Sequence, residues 1–493
     1  IDKQLRKIGE PPVVLDSVLV DQSVDNLQRY LLNKGYVNAK VTPRIDTIPG
    51  KKKAQVEYLI EANEPFKVRN YGTMVQDAEL DSLLKIKKPK YSWIRSAFRS
   101  PDLAYTPLIK EGELFNRMVM DQERQRVTSL FRQRGYYAFN KDNVAFLADT
   151  TVAPFEADVD LVVLPFRRIM PDGSIKETEH QKYYINKVDI ITDYDPLKKS
   201  NQSDGMIITD SLMHRNIHVK YGVNGRSIRP GVLSFNNYLR PGAMFDERNI
   251  DRTYSSFTRL KAIKGINIRF EEFEENDTLK LNTVILTTPS RIQTVGWDIE
   301  GTHSDGELGV ASSVTYQHRN IFKGSETFSA RIRGAYESLS GKRKFDVGNY
   351  WEYAVETSLK IPSMIFPFIS RDFKRRLQAT TELKISYGQQ ERPEYKRAIL
   401  SGGISYSWQD RSNTSARHTF SLLDVDYVYL PYLDSTFNAE LPTSTKLYNF
   451  SDQFIVSSGY SYYFNNFDPL TPQRNAHSLR VSVELAGNIL YAM

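Results

Sequence analysis

The chain has 493 residues and no cysteine, so these residues can form no disulfide, thiolate metal site or cysteine nucleophile. Its 66 Lys and Arg residues are nearly balanced by 59 Asp and Glu residues, and the net charge is +7. Nucleic-acid binding requires a concentrated basic face, and this balance argues against it. No apolar run reaches the roughly 18 residues of a transmembrane helix, although membrane-crossing strands give a weaker sequence signal.

Residues 1–289 contain a degenerate repeat of an amphipathic helix, a glycine and two strands. Ser23 and Asp246 are predicted N-caps, and Gly35, Gly135 and Gly265 are predicted to end the helices. Glycine suits the position after a helix because it adopts the left-handed conformation that other residues resist. The three predicted apolar faces are Val24, Leu27 and Leu31; Met120, Val127, Leu130 and Phe131; and Ile250, Tyr254 and Phe257.

Two strands are predicted after each glycine. They span 39–46 and 54–61, 138–147 and 157–164, and 266–273 and 279–286. Single strands at 66–71 and 183–191 precede the helices of the second and third copies. The repeated order is therefore β-α-α-β-β.

Uneven glycine spacing predicts insertions near 86–110 and 196–229. The first insertion mixes Lys and Arg with Tyr91, Trp93 and Phe98. We expect a solvated loop there, and a segment that lies on a membrane or holds a partner is the alternative.

From residue 291 the sequence changes to a period of two, as in 306–337, and about nine strands are predicted. Each strand has one apolar and one polar face. The strands reach about ten residues, enough to cross a bilayer at a tilt, whereas soluble strands average about five or six. Aromatic residues also gather at strand ends, where membrane interfaces favour them. We predict an antiparallel transmembrane β-barrel, with a soluble β-sandwich as the alternative.

In this barrel the apolar residues face lipid and the polar residues face an aqueous lumen. The predicted lumen-facing residues are Arg331, Arg333, Glu352, Glu356 and Lys384. A barrel in lipid must close, and bacterial single-chain barrels have even strand numbers. About nine strands, with the chain stopping within the ninth, predict that further sequence or a second chain completes the barrel. We favour further C-terminal sequence.

The connections predict which end of the barrel faces the periplasm. Short polar turns such as HRNIFKGSE at 318–326 are expected on that side. The segment 361–376 is an exception, because it is aromatic and basic on the side where short turns are expected.

Repeated β-α-α-β-β modules ahead of a barrel resemble the POTRA domains of the BamA/TamA superfamily. Within it, RKIGEPPV at 6–13 and LQRYLLNKGYVNAKV at 27–41 resemble the TamL family of TamA-like lipoproteins of Bacteroidota. YQHRNIFKGSETF at 316–328 resembles the first periplasmic turn of superfamily barrels. The resemblance implies POTRA modules at 1–62, 63–167 and 168–289, and the N-terminal part of a barrel at 290–493.

The resemblance also implies a Gram-negative outer-membrane protein with periplasmic POTRA modules, no enzymatic activity and no cofactor. It would capture unfolded outer-membrane protein clients on POTRA edges and insert them through a lateral barrel seam. The implied partners are these clients, the lipid bilayer and a TamB-like protein anchored in the inner membrane. The lipidated cysteine would lie upstream of Ile1. A passive pore or a dedicated two-partner-type secretion channel is the alternative.

The implied seam involves the first barrel strand, at 291–302. Its predicted residues are Val295, Gly296, Trp297, Asp298, Ile299, Glu300 and Gly301. The two glycines would weaken the packing of this strand, which fits a labile seam. Glycine used only for strand curvature is the alternative explanation.

Enzyme and metal motifs give no competing prediction. His214 and His218 stand in MHRNIHV, which contains no acidic residue and lies in a predicted loop, so no metal is expected. GVNGRS at 222–227 lacks the strand–glycine–helix context of a phosphate loop. Asp424 and Asp426 share a strand face, which a polar lumen explains without acid–base chemistry.

Overall fold

The computed structural model describes residues 14–48, 50, 53–85, 106–169, 173–195, 207–276, 278–304, 307–340, 347–410, 415–469 and 475–487. These residues form two compact units. The first unit holds the described residues up to Lys182 together with Phe245–Glu247, and the second holds the others. The segment 6–13 and most of the insertion predicted at 86–110 lie outside the described residues.

The first module consists of helix Ser17–Asn33 and the antiparallel hairpin of β1 (Lys40–Ile48) and β2 (Lys53–Glu61). Asp16 caps the helix by accepting a hydrogen bond from the amide of Val18 at 2.9 Å. The cap predicted at Ser23 is wrong. Ser23 lies inside the helix because its hydroxyl donates to the Leu19 carbonyl at 2.7 Å, which satisfies it there. Gly35 follows the helix with φ of +96°, which confirms the predicted stop.

The second module follows the predicted β-α-α-β-β order. Its elements are β3 (Lys67–Met74), helices Ala78–Lys85 and Arg117–Arg132, β4 (Val144–Ala153) and β5 (Glu156–Val163). The sheet order is β3-β5-β4, with β3 parallel to β5. Gly135 has φ of +106°, as a helix stop requires. Val127, Phe131 and Leu161 lie in its buried core.

The strand predicted at 138–147 begins later than expected, at Val144. Asn140 caps a short 3-10 helix, Lys141–Asn143, through reciprocal bonds with Asn143, and this turns the chain before the strand. After β5 comes a separate hairpin, β6 (Phe166–Ile169) and β7 (Ile175–Thr178), which the sequence did not predict.

The third module has the same order with an added hairpin. Its elements are β8 (Tyr183–Ile191), β9 (Asp210–His214), β10 (Ile217–Tyr221), helices Pro230–Asn236 and Glu247–Thr258, β11 (Ile263–Glu275) and β12 (Thr278–Pro289). The sheet order is β11-β12-β8-β10-β9. The prediction that MHRNIHV at 213–219 lies in a loop is therefore wrong, because β9 and β10 form a hairpin there and β10 pairs in parallel with β8, which extends the sheet.

The helix stop predicted at Gly265 is also wrong. The helix ends at Thr258, and Gly265 lies within β11. A turn in which the Ile263 amide donates to the Leu260 carbonyl at 2.9 Å replaces the glycine stop. Leu260 is fully buried, so apolar packing holds this turn without a left-handed residue.

The second unit also contains one antiparallel sheet of nine consecutive strands, as predicted. They are β13 (Gln293–Ser304), β14 (Glu307–His318), β15 (Thr327–Ser340), β16 (Val347–Ile361), β17 (Thr380–Glu391), β18 (Tyr395–Gln409), β19 (Ala416–Leu433), β20 (Gln453–Asn465) and β21 (Ser478–Ala486). Helix Arg371–Leu377 lies between β16 and β17, and helices Ser435–Glu440 and Thr443–Asn449 lie between β19 and β20. In the described ranges, no helix has the length and hydropathy needed to cross a bilayer.

Exposure on the two faces of this sheet is the reverse of that in a soluble sheet. One face presents exposed apolar side chains from every strand: Trp297, Val310, Ile332, Val355, Ile385, Leu400, Tyr427, Phe454 and Val483. On the opposite face Ser313 is only 4% exposed. Soluble proteins rarely expose contiguous apolar patches beyond a few hundred Å², so this face indicates contact with lipid or protein.

Candidate strand-pairing site

In the described structure the first strand of the large sheet, β13, is one of its two edges, and β21 is the other. β13 pairs with β14 from Gln293 opposite His318 to Ser304 opposite Glu307. In the described part of the chain no strand lies on its other side. All the predicted seam residues, 295–301, belong to this strand. On its apolar face Trp297 is 70% exposed, and its indole Nε1 donates to the hydroxyl of Ser312 at 2.9 Å.

Arg333 connects the edge strand to the interior of the sheet on the polar face. Its guanidinium lies 3.6 Å from the carboxylate of Glu300 in β13 and 3.2 Å from that of Glu352 in β16. The structure thus brings a predicted seam residue together with two predicted lumen-facing residues. Because these side chains are partly exposed, each pair contributes no more than about 1 kcal/mol.

The other predicted lumen-facing residues share this polar face. Arg331 lies directly opposite Glu356, and its guanidinium donates to the Ser313 hydroxyl at 3.2 Å. Lys384 lies opposite Ser358 on one side and Gly403 on the other. The strand register therefore places all the predicted residues on one face, as alternation requires.

The two glycines of β13 are not needed for close packing. A Cβ at Gly296 or Gly301 would meet no atom of the described structure within 4 Å. Gly309 in β14 differs, because a Cβ there would lie 3.1 Å from the Tyr336 carbonyl oxygen. Glycine costs a strand backbone entropy and offers no side chain to pack. Gly296 and Gly301 therefore weaken the edge strand, and the structure shows no compensating contact.

The turn between β14 and β15 contacts the third module. The side-chain amide of Asn320 donates to the Ser227 carbonyl at 2.7 Å. The Ala262 amide donates to the Ser325 hydroxyl at 2.9 Å. Both turn side chains are buried, so these bonds form away from water and fix the turn against the module.

An ion pair adds to this junction. The guanidinium of Arg229 lies 2.9 Å from the carboxylate of Glu326, whose side chain is 9% exposed. The same carboxylate accepts a hydrogen bond from the Gly324 amide at 2.8 Å. The sequence identified this turn but not its partners, because Asn, Ser and Glu in a turn are equally typical of a solvated loop.

The histidines and aspartates considered as metal or acid–base candidates lie in strands. His214 and His218 lie in β9 and β10, and Asp189 of β8 is 3.6 Å from His218 Nδ1, although MHRNIHV itself has no acid. In the described ranges no group of three His, Cys, Asp or Glu side chains could hold a metal. Asp424 and Asp426 lie on the polar face, opposite Gly403 and Ser401.

The second module offers another edge. Among the described strands β4 pairs only with β5, and its residues 148–151 are exposed. In the third module β11 takes the equivalent place in the sheet. The last five residues of this strand are EEFEE, at 271–275. Charged residues are a common means of preventing edge-to-edge pairing, so β4 is the more accessible strand for an extended partner.

Comparison with known proteins gives one sequence match. The POTRA family model, "Surface antigen variable number repeat", matches residues 2–63. No curated protein matches the chain. Among solved structures, BamA from Haemophilus ducreyi lacking POTRA domains 1–3 has a TM-score of 0.43 and 10% identity, over 85% of this chain and 64% of that chain. CdiB from Acinetobacter baumannii has a TM-score of 0.40 and 9% identity, over 96% of this chain and 72% of that chain.

The predicted fold class is confirmed. A POTRA-type region precedes an antiparallel sheet of nine strands that fits part of a β-barrel. The order of helices and strands along the second and third modules, β-α-α-β-β, agrees with the prediction from the repeat.

Substitution of the edge glycines should stabilise β13. Gly296→Thr on the polar face and Gly301→Val on the apolar face should each strengthen its pairing with β14 by about 1 kcal/mol. Amide hydrogen exchange of β13 should slow accordingly. The control is Gly334→Val in the interior strand β15, where a Cβ also meets open space. Exchange in β13 that is equally fast with and without its glycines would contradict this account.

Loss of the junction ion pair should loosen the β14–β15 turn. Arg229→Ala leaves the Glu326 carboxylate buried without its cation, at a cost of about 1–2 kcal/mol. Amide exchange at 323–326 should accelerate. Arg215→Ala, which removes an exposed arginine from the β9–β10 turn, should leave that exchange unchanged. Equal exchange in both variants would show that the ion pair does not hold the junction.

Proposed function

We propose that this protein is an outer-membrane assembly or translocation factor of the BamA/TamA type, and that β13 is where client strands pair. The observation that supports this most directly is the edge of β13. It offers 12 residues of strand with no second strand partner in the described structure, on a sheet whose apolar face is exposed.

The exposed apolar face supports a membrane location. Transfer of that face to hydrocarbon removes its contact with water, which is favourable at about 25 cal/mol per Å². Within hydrocarbon an unpaired strand edge is costly, because each unsatisfied backbone group costs several kcal/mol. β13 therefore requires a partner strand in the membrane, supplied by the barrel itself or by a client.

Exchange between these two partners is the proposed insertion step. Pairing through main-chain hydrogen bonds tolerates many sequences, as a factor with many clients requires. Gly296 and Gly301 lower the stability of β13, which favours exchange. Backbone pairing with β14 keeps β13 attached while its outer edge changes partner, and the ion pair between Glu300 and Arg333 adds to this weakly.

The finer assignments are proposals based on the sequence resemblance. They comprise POTRA modules at 1–62, 63–167 and 168–289, the barrel from 290, a periplasmic location of the modules, TamL-type lipidation and a TamB-like partner. Client capture in the periplasm would use β4, because its edge lacks the acidic run of β11.

A passive pore or a dedicated two-partner-type channel is the competing function. Depletion of the full-length protein followed by quantitative proteomics of the outer membrane separates the two. Assembly activity predicts that many β-barrel proteins decrease, because main-chain pairing does not depend on client sequence. Loss of one secreted cargo with unchanged β-barrel proteins would contradict the proposal and support a dedicated channel.

A further inference from the structure

The connection between β16 and β17 folds back over the apolar face of the large sheet. Tyr406 belongs to that face, because it lies opposite Thr381 in the β17–β18 pair. It is nevertheless only 3% exposed. Its hydroxyl donates to the Ile365 carbonyl at 2.9 Å, and the Phe366 ring packs against it with a centroid separation of 6.4 Å. The connection therefore lies on the side where lipid is proposed.

This connection carries exposed apolar side chains. Phe368 is 89% exposed and Ile365 is 52% exposed. Aromatic and aliphatic side chains followed by basic residues are typical of segments that lie in a membrane interface. The basic residues come next, in helix Arg371–Leu377.

An open cleft of about 470 Å³ lies beside this helix. It is lined by Tyr238, Arg240, Ala243, Asn249, Asp372, Arg375 and Arg376. Three arginines and one aspartate therefore belong to the lining of the cleft. This excess of positive charge favours a bound anion.

Arg375 is the fixed member of this group. Its guanidinium donates to the Asn237 carbonyl at 2.6 Å and stacks on the Tyr238 ring, 4.5 Å from the centroid. Burial lowers the pKa of Arg375 from its ordinary value, with the nearby charge of Arg240 acting in the same direction. An arginine begins so far above neutral pH that it stays charged. The contacts hold its charge at the cleft and join the sheet connection to the third module.

We propose that this connection and cleft form an interfacial site for an anionic phospholipid. Phe368 and Ile365 enter the boundary between headgroups and acyl chains, and Arg240, Arg375 and Arg376 bind the lipid phosphate. Guanidinium groups suit this role because they make paired, charge-assisted hydrogen bonds with phosphate oxygens. A lipid is favoured over free phosphate because the exposed apolar residues Ile365 and Phe368 directly precede, in the same connection, the helix that lines the cleft.

This inference rests on the membrane insertion proposed above and extends it to the third module. A lipid bound in the cleft would contact Arg240 of that module and Arg376 of the sheet connection together. It would hold the last module at a fixed place against the membrane surface.

A depth measurement tests the apolar half of the site. Residues 1–493 contain no cysteine, so Phe368→Cys introduces a single thiol among them, to which an environment-sensitive fluorophore can be attached. Reconstitution into vesicles containing brominated phosphatidylcholine and phosphatidylglycerol should quench this label. Ile385→Cys on the apolar face of β17 should be quenched too, and Val223→Cys, an exposed position in the third module, should not.

The outcomes separate this inference from the proposed function. Quenching at position 385 without quenching at 368 would contradict the proposed lipid site and would still agree with membrane insertion. The absence of quenching at both positions would overturn membrane insertion itself.

Lipid binding tests the charged half. Native mass spectrometry of the detergent-solubilised full-length protein should show one phosphatidylglycerol bound more tightly than phosphatidylcholine or inorganic phosphate. Arg240→Gln with Arg376→Gln should weaken this binding about tenfold or more. The control, Lys187→Gln with Arg215→Gln, removes the same charge from exposed positions of the same unit and should bind normally.

Equal binding by the two double variants would overturn the proposal. Inorganic phosphate bound as tightly as phosphatidylglycerol would assign the cleft to a free anion and overturn its assignment to lipid.

Discussion

Backbone hydrogen bonding between consecutive antiparallel strands is the constraint on which the rest of this structure depends. From β13 to β18 the register runs without a bulge, and irregularities occur only in the pairs that involve β19. A slip of one residue would move every side chain to the opposite face. The continuous register therefore keeps Trp297, Ile332 and Ile385 on one face and Arg333 and Glu352 on the other.

That same constraint distinguishes the edge strand β13 from the interior strands of the sheet. An interior strand satisfies its backbone on both sides, whereas β13 is paired on one side in the described structure. Backbone pairing with β14 and the ion pair of Glu300 with Arg333 stabilise β13. Glycine at 296 and 301 reduces its stability. A strand that is held on one side and weakened internally is suited to accept and release a partner.

The third module is fixed to this sheet through two sets of contacts within the second unit. Asn320, Ser325 and Glu326 bond to it from the first turn of the sheet. Arg375 bonds to Asn237 from the connection after β16. Motion of the module would therefore be transmitted to the strands next to the edge, because both connections are buried and polar, and such contacts have few alternative geometries.

Period-two alternation was enough to predict the large sheet, its nine strands and the residues of its polar face. Gly35 and Gly135 were also correctly predicted to follow the ends of helices, because both positions have a positive φ that glycine adopts more readily than other residues. Ser23 was wrongly predicted as a helix N-cap because a serine hydroxyl can also donate to a carbonyl within a helix. Gly265 was wrongly predicted as a helix stop because the turn at the buried Leu260 follows the helix without a glycine. Alternation alone does not predict tertiary contacts such as Arg229 with Glu326 or Arg240 near Arg376, which join residues far apart in sequence.

Site-specific photo-crosslinking tests the central claim, that β13 pairs with client strands, most directly. A photoreactive phenylalanine derivative at Trp297 of the full-length protein in cells should form adducts with many outer-membrane β-barrel proteins. The same residue at Ile332, which is 62% exposed on the same face but lies in an interior strand, should form none. Client adducts at both positions, or at neither, would contradict the account.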